Sequence, residues 1–267
     1  MTCVLTMPMT VPPISQLQAP ATWRTVDLIS DLHLQASEPA TFAAWQSYLA
    51  ETPADAVLIL GDLFEVWVGD DEVPSSPFLQ SCAQVLRAAG ERLYLGLMHG
   101  NRDFLMGPAF VGSCHAHFLQ DPTLLNLGTS SWLLSHGDAL CTEDIEYQVF
   151  RQQVRSPDWI NNFTSKPLAE RQAMARGLRA ESEARKGHAM TYADADTDLC
   201  LAWLAQTPSH QLIHGHTHQP ANHVLADASP DCMERMVLSD WDLQAKPPRA
   251  QVLRLNAGGQ HQRINLV

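Results

Sequence analysis

An α/β sandwich is the fold class that the sequence predicts, on three observations. Short apolar runs alternate with longer amphipathic stretches, clusters of His, Asp, Asn and Gly follow directly on the short runs, and beyond residue 220 the pattern turns to strands and turns. The runs Val26 to Ile29, Ala56 to Leu60 and Leu93 to Leu97 read as buried strands, being almost unbroken in apolar character. Between them, Pro39 to Ala50 and Pro77 to Ala89 read as helices. Trp132 to Leu134 and, much later, Gln211 to Ile213 continue the alternation.

Residues 145 to about 193 break that rhythm with a helical stretch carrying Trp159, Ile160, Phe163, Leu168, Met174 and Leu178, which we read as an inserted cap. From 151 to 190 it holds eight Lys or Arg against four acids, a local +4 in a chain of formal charge -12. That overall charge argues against a general nucleic-acid binder, which needs a surplus of cations. At 267 residues and 45% hydrophobic, the chain can bury one sizeable core, so one domain over 23–267 is expected.

Residues 1–22 are expected to be a flexible extension, because they lack charge and are broken by prolines at 8, 12, 13 and 20. Without a basic start before an apolar run, they form neither a signal peptide nor a membrane span. The six cysteines make no CxxC pair, which suits reduced thiols in a cytoplasm.

Chemistry-bearing residues fall just after the strands. Ser30-Asp31-Leu32-His33 follows the first, Gly61-Asp62 the second, and His99-Gly100-Asn101-Arg102-Asp103 the third. His136-Gly137-Asp138 and His214-Gly215-His216-Thr217-His218 follow the fourth and fifth. In open α/β sheets ligands bind at the carboxyl ends of strands, so five segments are expected to converge on one rim. Together they supply carboxylate, imidazole and amide donors without thiolate, a set for borderline or hard divalent ions such as manganese. Any one segment alone is equally a helix cap or a chance triplet; five in register are not. For Asp138 a supporting role toward a ligand imidazole is expected. Phe64 reads as core, Trp67 as either core or a platform for a lipid or nucleobase, and Asp70-Asp71-Glu72 as a solvated turn.

The ordered pattern DxH, GD, GN, H and GHxH over Val26 to Pro220 resembles the calcineurin-like metallophosphoesterases. The resemblance implies a β-sandwich flanked by helices with an inserted helical cap. It also implies a pair of metal ions: Asp31, His33 and His218 on one, Asn101, His136 and His216 on the other, and Asp62 bridging both. A bridging hydroxide would then attack phosphorus in line, with Asp62, Asn101, Arg102 and His136 carrying catalysis.

The longer stretches Gly61 to Asp71, His99 to Leu105, His136 to Asp144 and His214 to His218 are similar to those of the UDP-2,3-diacylglucosamine diphosphatases of Gram-negative bacteria. That resemblance implies two Mn2+ ions, attack on the phosphorus nearer uridine, and release of UMP and lipid X during lipid A synthesis. It implies substrate contacts by Asn101, Arg102, Asp144, Ser182 and His216, with Lys186 among the looser cap positions near Arg185 and His188. The expected location is the cytoplasm, peripheral on the inner membrane, with a lipid substrate, no nucleic acid and no obligate protein partner. Many superfamily members carry a proton-donating His where Arg102 stands. An arginine there clamps phosphate instead, which suits a leaving group already stable as an anion. Gln219 stands where an arginine is expected. The alternatives are another two-metal phosphoesterase, such as a nucleotide diphosphatase, or a scaffold of this fold without catalysis.

Overall fold

A computed structural model describes residues 11–186, 193–227 and 232–267, and the side chains of 179–186 lie outside that description. Its strands form two six-stranded sheets. One runs from edge to edge as β12 (His261–Asn265), β11 (Gln251–Asn256), β2 (Thr25–Ile29), β3 (Ala56–Leu60), β4 (Tyr94–Met98) and β5 (His117–Leu119). The other runs β1 (Ser15–Gln18), β6 (Thr123–Leu127), β7 (Ser130–Ser135), β8 (Gln211–His214), β10 (Met233–Val237) and β9 (Asn222–Ala226).

Parallel neighbours need a crossover, and helices supply it. α1 (Pro39–Glu51) joins β2 to β3, and α2 (Pro77–Gly90) joins β3 to β4. The short α3 (Pro108–Ser113) precedes β5. α2 starts where Pro77 fits the first turn and the Ser76 hydroxyl accepts from the Leu79 amide. The parallel step from β7 to β8 holds α4 (Ile145–Val154), α5 (Pro157–Thr164), α6 (Leu168–Lys186) and α7 (Thr197–Leu204).

Successive strand side chains point to opposite faces, which divides the core into layers. Leu28, Leu58 and Leu60 face inwards and meet Leu125, Trp132 and Leu134 of the other sheet. Ile29, Val57 and Ile59 face outwards onto Trp45, Leu49 and Leu86 of α1 and α2. On the opposite outer face, Leu133 and Leu212 pack under Leu199 and Trp203 of α7. Strands covered on both sides are apolar throughout, which is why β3 and β4 were readable as unbroken runs. Each fully buried side chain of this size contributes about 1.5–3 kcal/mol.

Two expectations need correction. Residues 15–18, placed in a flexible extension, pair in parallel with β6 in register Ser15 to Thr123, and Ala19 beside them is buried. The acidic run 70–72 is no free solvated turn. Asp70 accepts from the Gly107 and Phe110 amides, each at 2.8 Å, while Asp71 pairs with the buried Arg171 of α6 and Glu72 accepts from Gln172. Two basic residues of the cap are engaged: Arg171 is held by Asp71 and the Val68 carbonyl, and Lys166 pairs with Glu170. Phe64 is core, as expected, Trp67 is core as well, and both cluster with Phe110.

Candidate metal centre

Because β2, β3 and β4 are parallel neighbours, the turns after them lie side by side, and the turns after β7 and β8 face them from the other sheet. Backbone bonds lock the rim: Asp31 N to Gly61 O at 3.2 Å, His33 N to Asp62 O at 3.0 Å, and Gly215 N to His136 O at 2.9 Å. Only glycine fits at 61 and 100. At φ +89° a Gly61 side chain would lie 2.5 Å from His136 Nδ1, and one on Gly100 would lie 2.0 Å from Asp62 Oδ1.

All seven expected ligands come together. Around one position, His33 Nε2 and His218 Nε2 are 3.3 Å apart, and His218 Nε2 is 3.3 Å from Asp31 Oδ1. Around the other, the Asn101 amide oxygen lies 3.0 Å from His136 Nε2 and 2.9 Å from His216 Nδ1. Asp62 stands between them, with Oδ2 at 3.9 Å from His33 Nε2 and Oδ1 at 3.8 Å from His136 Nε2. Asp31, His33, Asp62, His216 and His218 all hold left-handed backbone, φ between 48° and 67°. Such strain costs about 1–3 kcal/mol per residue and persists where function aims the side chain.

The donors fit divalent cations. Asp31 Oδ2 is satisfied by the Ser30 hydroxyl at 2.6 Å and the His216 amide at 2.9 Å, which leaves buried Oδ1 without a hydrogen-bond partner and aimed into the site. The far nitrogens of His136, His33 and His218 face acceptors. His136 Nδ1 donates to Leu60 O at 2.9 Å, and His33 Nδ1 lies 2.9 Å from Glu65. His218 Nδ1 lies 3.8 Å from Asp240, itself gripped by Arg249. The electrostatics are those of an anionic pocket. Burial opposes charge on His136, but Asp62, Asp138 and Asp31 outweigh it and raise the pKa to about 9. Burial, then the neighbouring His136, lowers His216 to about 3, so this imidazole offers a free lone pair.

Arg102 is half-buried, with Nη1 at 3.6 Å from Glu65, and its amide donates to Asp62 Oδ1 at 2.8 Å. Asp144 is exposed at the start of α4, where it accepts from the Tyr147 amide at 3.0 Å. Ser182 and Lys186 fall on α6, but their side chains, like those of Arg179 and Arg185, lie outside the described residues, as does His188. Asp138 departs from its expected role. Its Oδ2 accepts from Tyr147 Oη, Arg151 Nε and Arg155 Nη2 at 2.7, 2.8 and 3.0 Å, and the His136 tautomer is set by Leu60 O instead. Sequence reasoning missed Glu65, which touches both His33 and Arg102, and Asp103, which accepts from the Gly100 and Leu63 amides at 2.8 Å each. Both lie inside the motifs, so position within the motif was the available signal.

The sequence matches the calcineurin-like phosphoesterase profile over residues 24–220, and the chain therefore belongs to that family of metal-dependent hydrolases. It is 41% identical over 237 residues to the UDP-2,3-diacylglucosamine hydrolase of Bordetella pertussis, spanning 87% of this chain and 92% of that protein. To the hydrolase of the same name from Chromobacterium violaceum it is 44% identical over 225 residues, spanning 81% and 90%. The Marinobacter nauticus protein of that name is 42% identical over 222 residues, spanning 82% and 90%. Within the phosphoesterases, these relatives place the chain in the UDP-2,3-diacylglucosamine hydrolase family.

Proposed function

We propose that this chain hydrolyses the diphosphate bond of UDP-2,3-diacylglucosamine to 2,3-diacylglucosamine 1-phosphate and UMP, a step of lipid A synthesis. The observation that carries the reading is an apolar groove of about 310 Å3 in the cap, lined by Phe150, Val154, Trp159, Met174 and Leu178 among others. Its Trp159 ring lies 6.1 Å from that of Phe104, close in sequence to Arg102, so the groove adjoins the metal rim. A substrate joining a diphosphate to acyl chains needs both features side by side, whereas a plain nucleotide needs only the first.

Two divalent ions, taken as manganese from the donor set, would supply an acidified water and neutralise charge at phosphorus. Asp31, His33 and His218 are assigned to one ion, Asn101, His136 and His216 to the other, and Asp62 to both. Arg102, oriented by Glu65, clamps the diphosphate and balances the charge that builds on the departing sugar phosphate. Asn101, Asp144, Ser182, Lys186 and His216 are assigned to further contacts with the substrate.

No helix among the described residues is long and apolar enough to cross a membrane. Ile145, Val149 and Phe150 on α4 and Leu178 on α6 are exposed, which supports a cap that rests on the cytoplasmic face of the inner membrane.

The test is mass spectrometry of products from purified protein, manganese, the lipid substrate and isotopically heavy water. UMP carrying the heavy oxygen is the expected result and identifies the attacked phosphorus as the one nearer uridine. An untouched lipid beside a cleaved simple diester would overturn the substrate while leaving the centre.

A further inference from the structure

Tyr147, Arg151 and Arg155 fall four residues apart, so along and just beyond α4 they share one face. All three meet a single atom, Asp138 Oδ2, whose carboxylate is wholly buried two residues after His136. Charge buried there requires paired cations, and the two arginines supply them. Arg155 does more than neutralise. The same Nη2 that reaches Asp138 lies 3.0 Å from the Gly100 carbonyl, the residue before Asn101. Its guanidinium sits 5.7 Å over the Phe104 ring, which fixes its plane. Among the described residues, no other cap side chain donates a hydrogen bond to the 100–103 turn.

We propose that Arg155 is a positioning residue of the metal centre, tying the turn of Asn101 to the turn of His136 from the cap side. The inference rests on the two-ion reading above. Asn101 and His136 come from different sheets, and their 3.0 Å approach depends on two turns keeping their separation. One guanidinium nitrogen bonded to both turns sets that distance. The cap is thus part of the scaffold for the second ion position, as well as a wall for the substrate.

The experiment titrates Mn2+ into metal-free wild type, Arg155→Ala, Arg155→Lys and Arg171→Ala by calorimetry, with hydrogen exchange followed on the cap. Wild type should take two ions. Arg155→Ala should bind one of them about 10- to 100-fold more weakly, the usual effect of losing a partner behind the ligands. Arg155→Lys, which keeps the charge on a shorter side chain without the planar fork, should fall between. Arg171→Ala, which loosens α6 at Asp71 and so speeds exchange there, should keep both affinities. Wild-type affinities in Arg155→Ala would overturn the proposal, and so would an equal loss in Arg171→Ala, since any cap disturbance would then suffice. A wild type binding fewer than two ions defeats the two-ion reading itself, and this proposal with it.

Discussion

Asp62 faces His33 with one oxygen and His136 with the other, which places its carboxylate between the two groups of candidate ligands. Asp62→Ala and His136→Ala should each lower turnover by more than about 100-fold, because even partners behind metal ligands are worth about 10- to 100-fold. Steady-state rates within a few-fold of wild type in either variant would sink the assignment. Glu65 links the candidate ligand His33 to Arg102, since it meets His33 Nδ1 at 2.9 Å and Arg102 at 3.6 Å. Glu65→Gln keeps the shape but removes the charge. It should weaken metal binding about 10-fold and raise KM for a diphosphate together, in a titration and a rate series on one preparation. A change in KM with metal affinity intact would separate the two roles. At this scale the ligands were legible in the sequence, because each is a His, Asp or Asn next to a strand end. Their partners were legible only as members of the motifs, because the role of an acid such as Glu65 appears when the fold brings it to His33.

Elements were legible in proportion to how completely they are buried. β3 is apolar along its whole length and was bounded correctly, whereas β5 spans three residues at a sheet edge and left no periodicity to read. β1 was missed because its alternating half-buried residues follow a proline-rich stretch and pair only with β6. The cap's helical nature was readable, but its docking was not. Arg171 and Asp71 are 100 residues apart, and no local pattern links them. That docking changes which cations remain for a substrate. Arg151 and Arg155 serve Asp138, and Arg171 serves Asp71, so these three cations are engaged within the protein. Arg179→Ala with Lys186→Ala should therefore reduce kcat/KM for the acylated diphosphate more than for a small soluble diester. Parallel competition assays decide it, and equal losses on both substrates would mean that the end of α6 is no clamp.

At the scale of the whole molecule, the two sheets close around a pocket that is anionic until cations enter, and this makes stability depend on pH and metal together. In the metal-free protein, burial opposes charge on His136 but Asp62, Asp138 and Asp31 raise its pKa to about 9. A raised pKa means that the folded state holds the proton more tightly than the unfolded chain. Its stabilisation is thus fully present below the unfolded value of about 6.5 and is lost as pH climbs toward 9. His214 has the opposite sign: burial and then Arg235 lower it to about 4, and burial with His136 lowers His216 to about 3. Their contribution is present above about 6.5 and is lost as pH falls toward 4. Metal-free protein should therefore melt highest near neutrality and lose stability on both flanks. If His136 ligates the ion as proposed, it has no proton to lose once manganese is bound, so the alkaline flank should flatten, while the acid flank remains because His214 is not among the assigned ligands. Thermal midpoints from about pH 4 to 9, with and without manganese, measure both flanks. A metal-free midpoint that stays level above pH 7 would mean that His136 carries no extra proton there, and the anionic pocket deduced from the buried carboxylates would have to be abandoned.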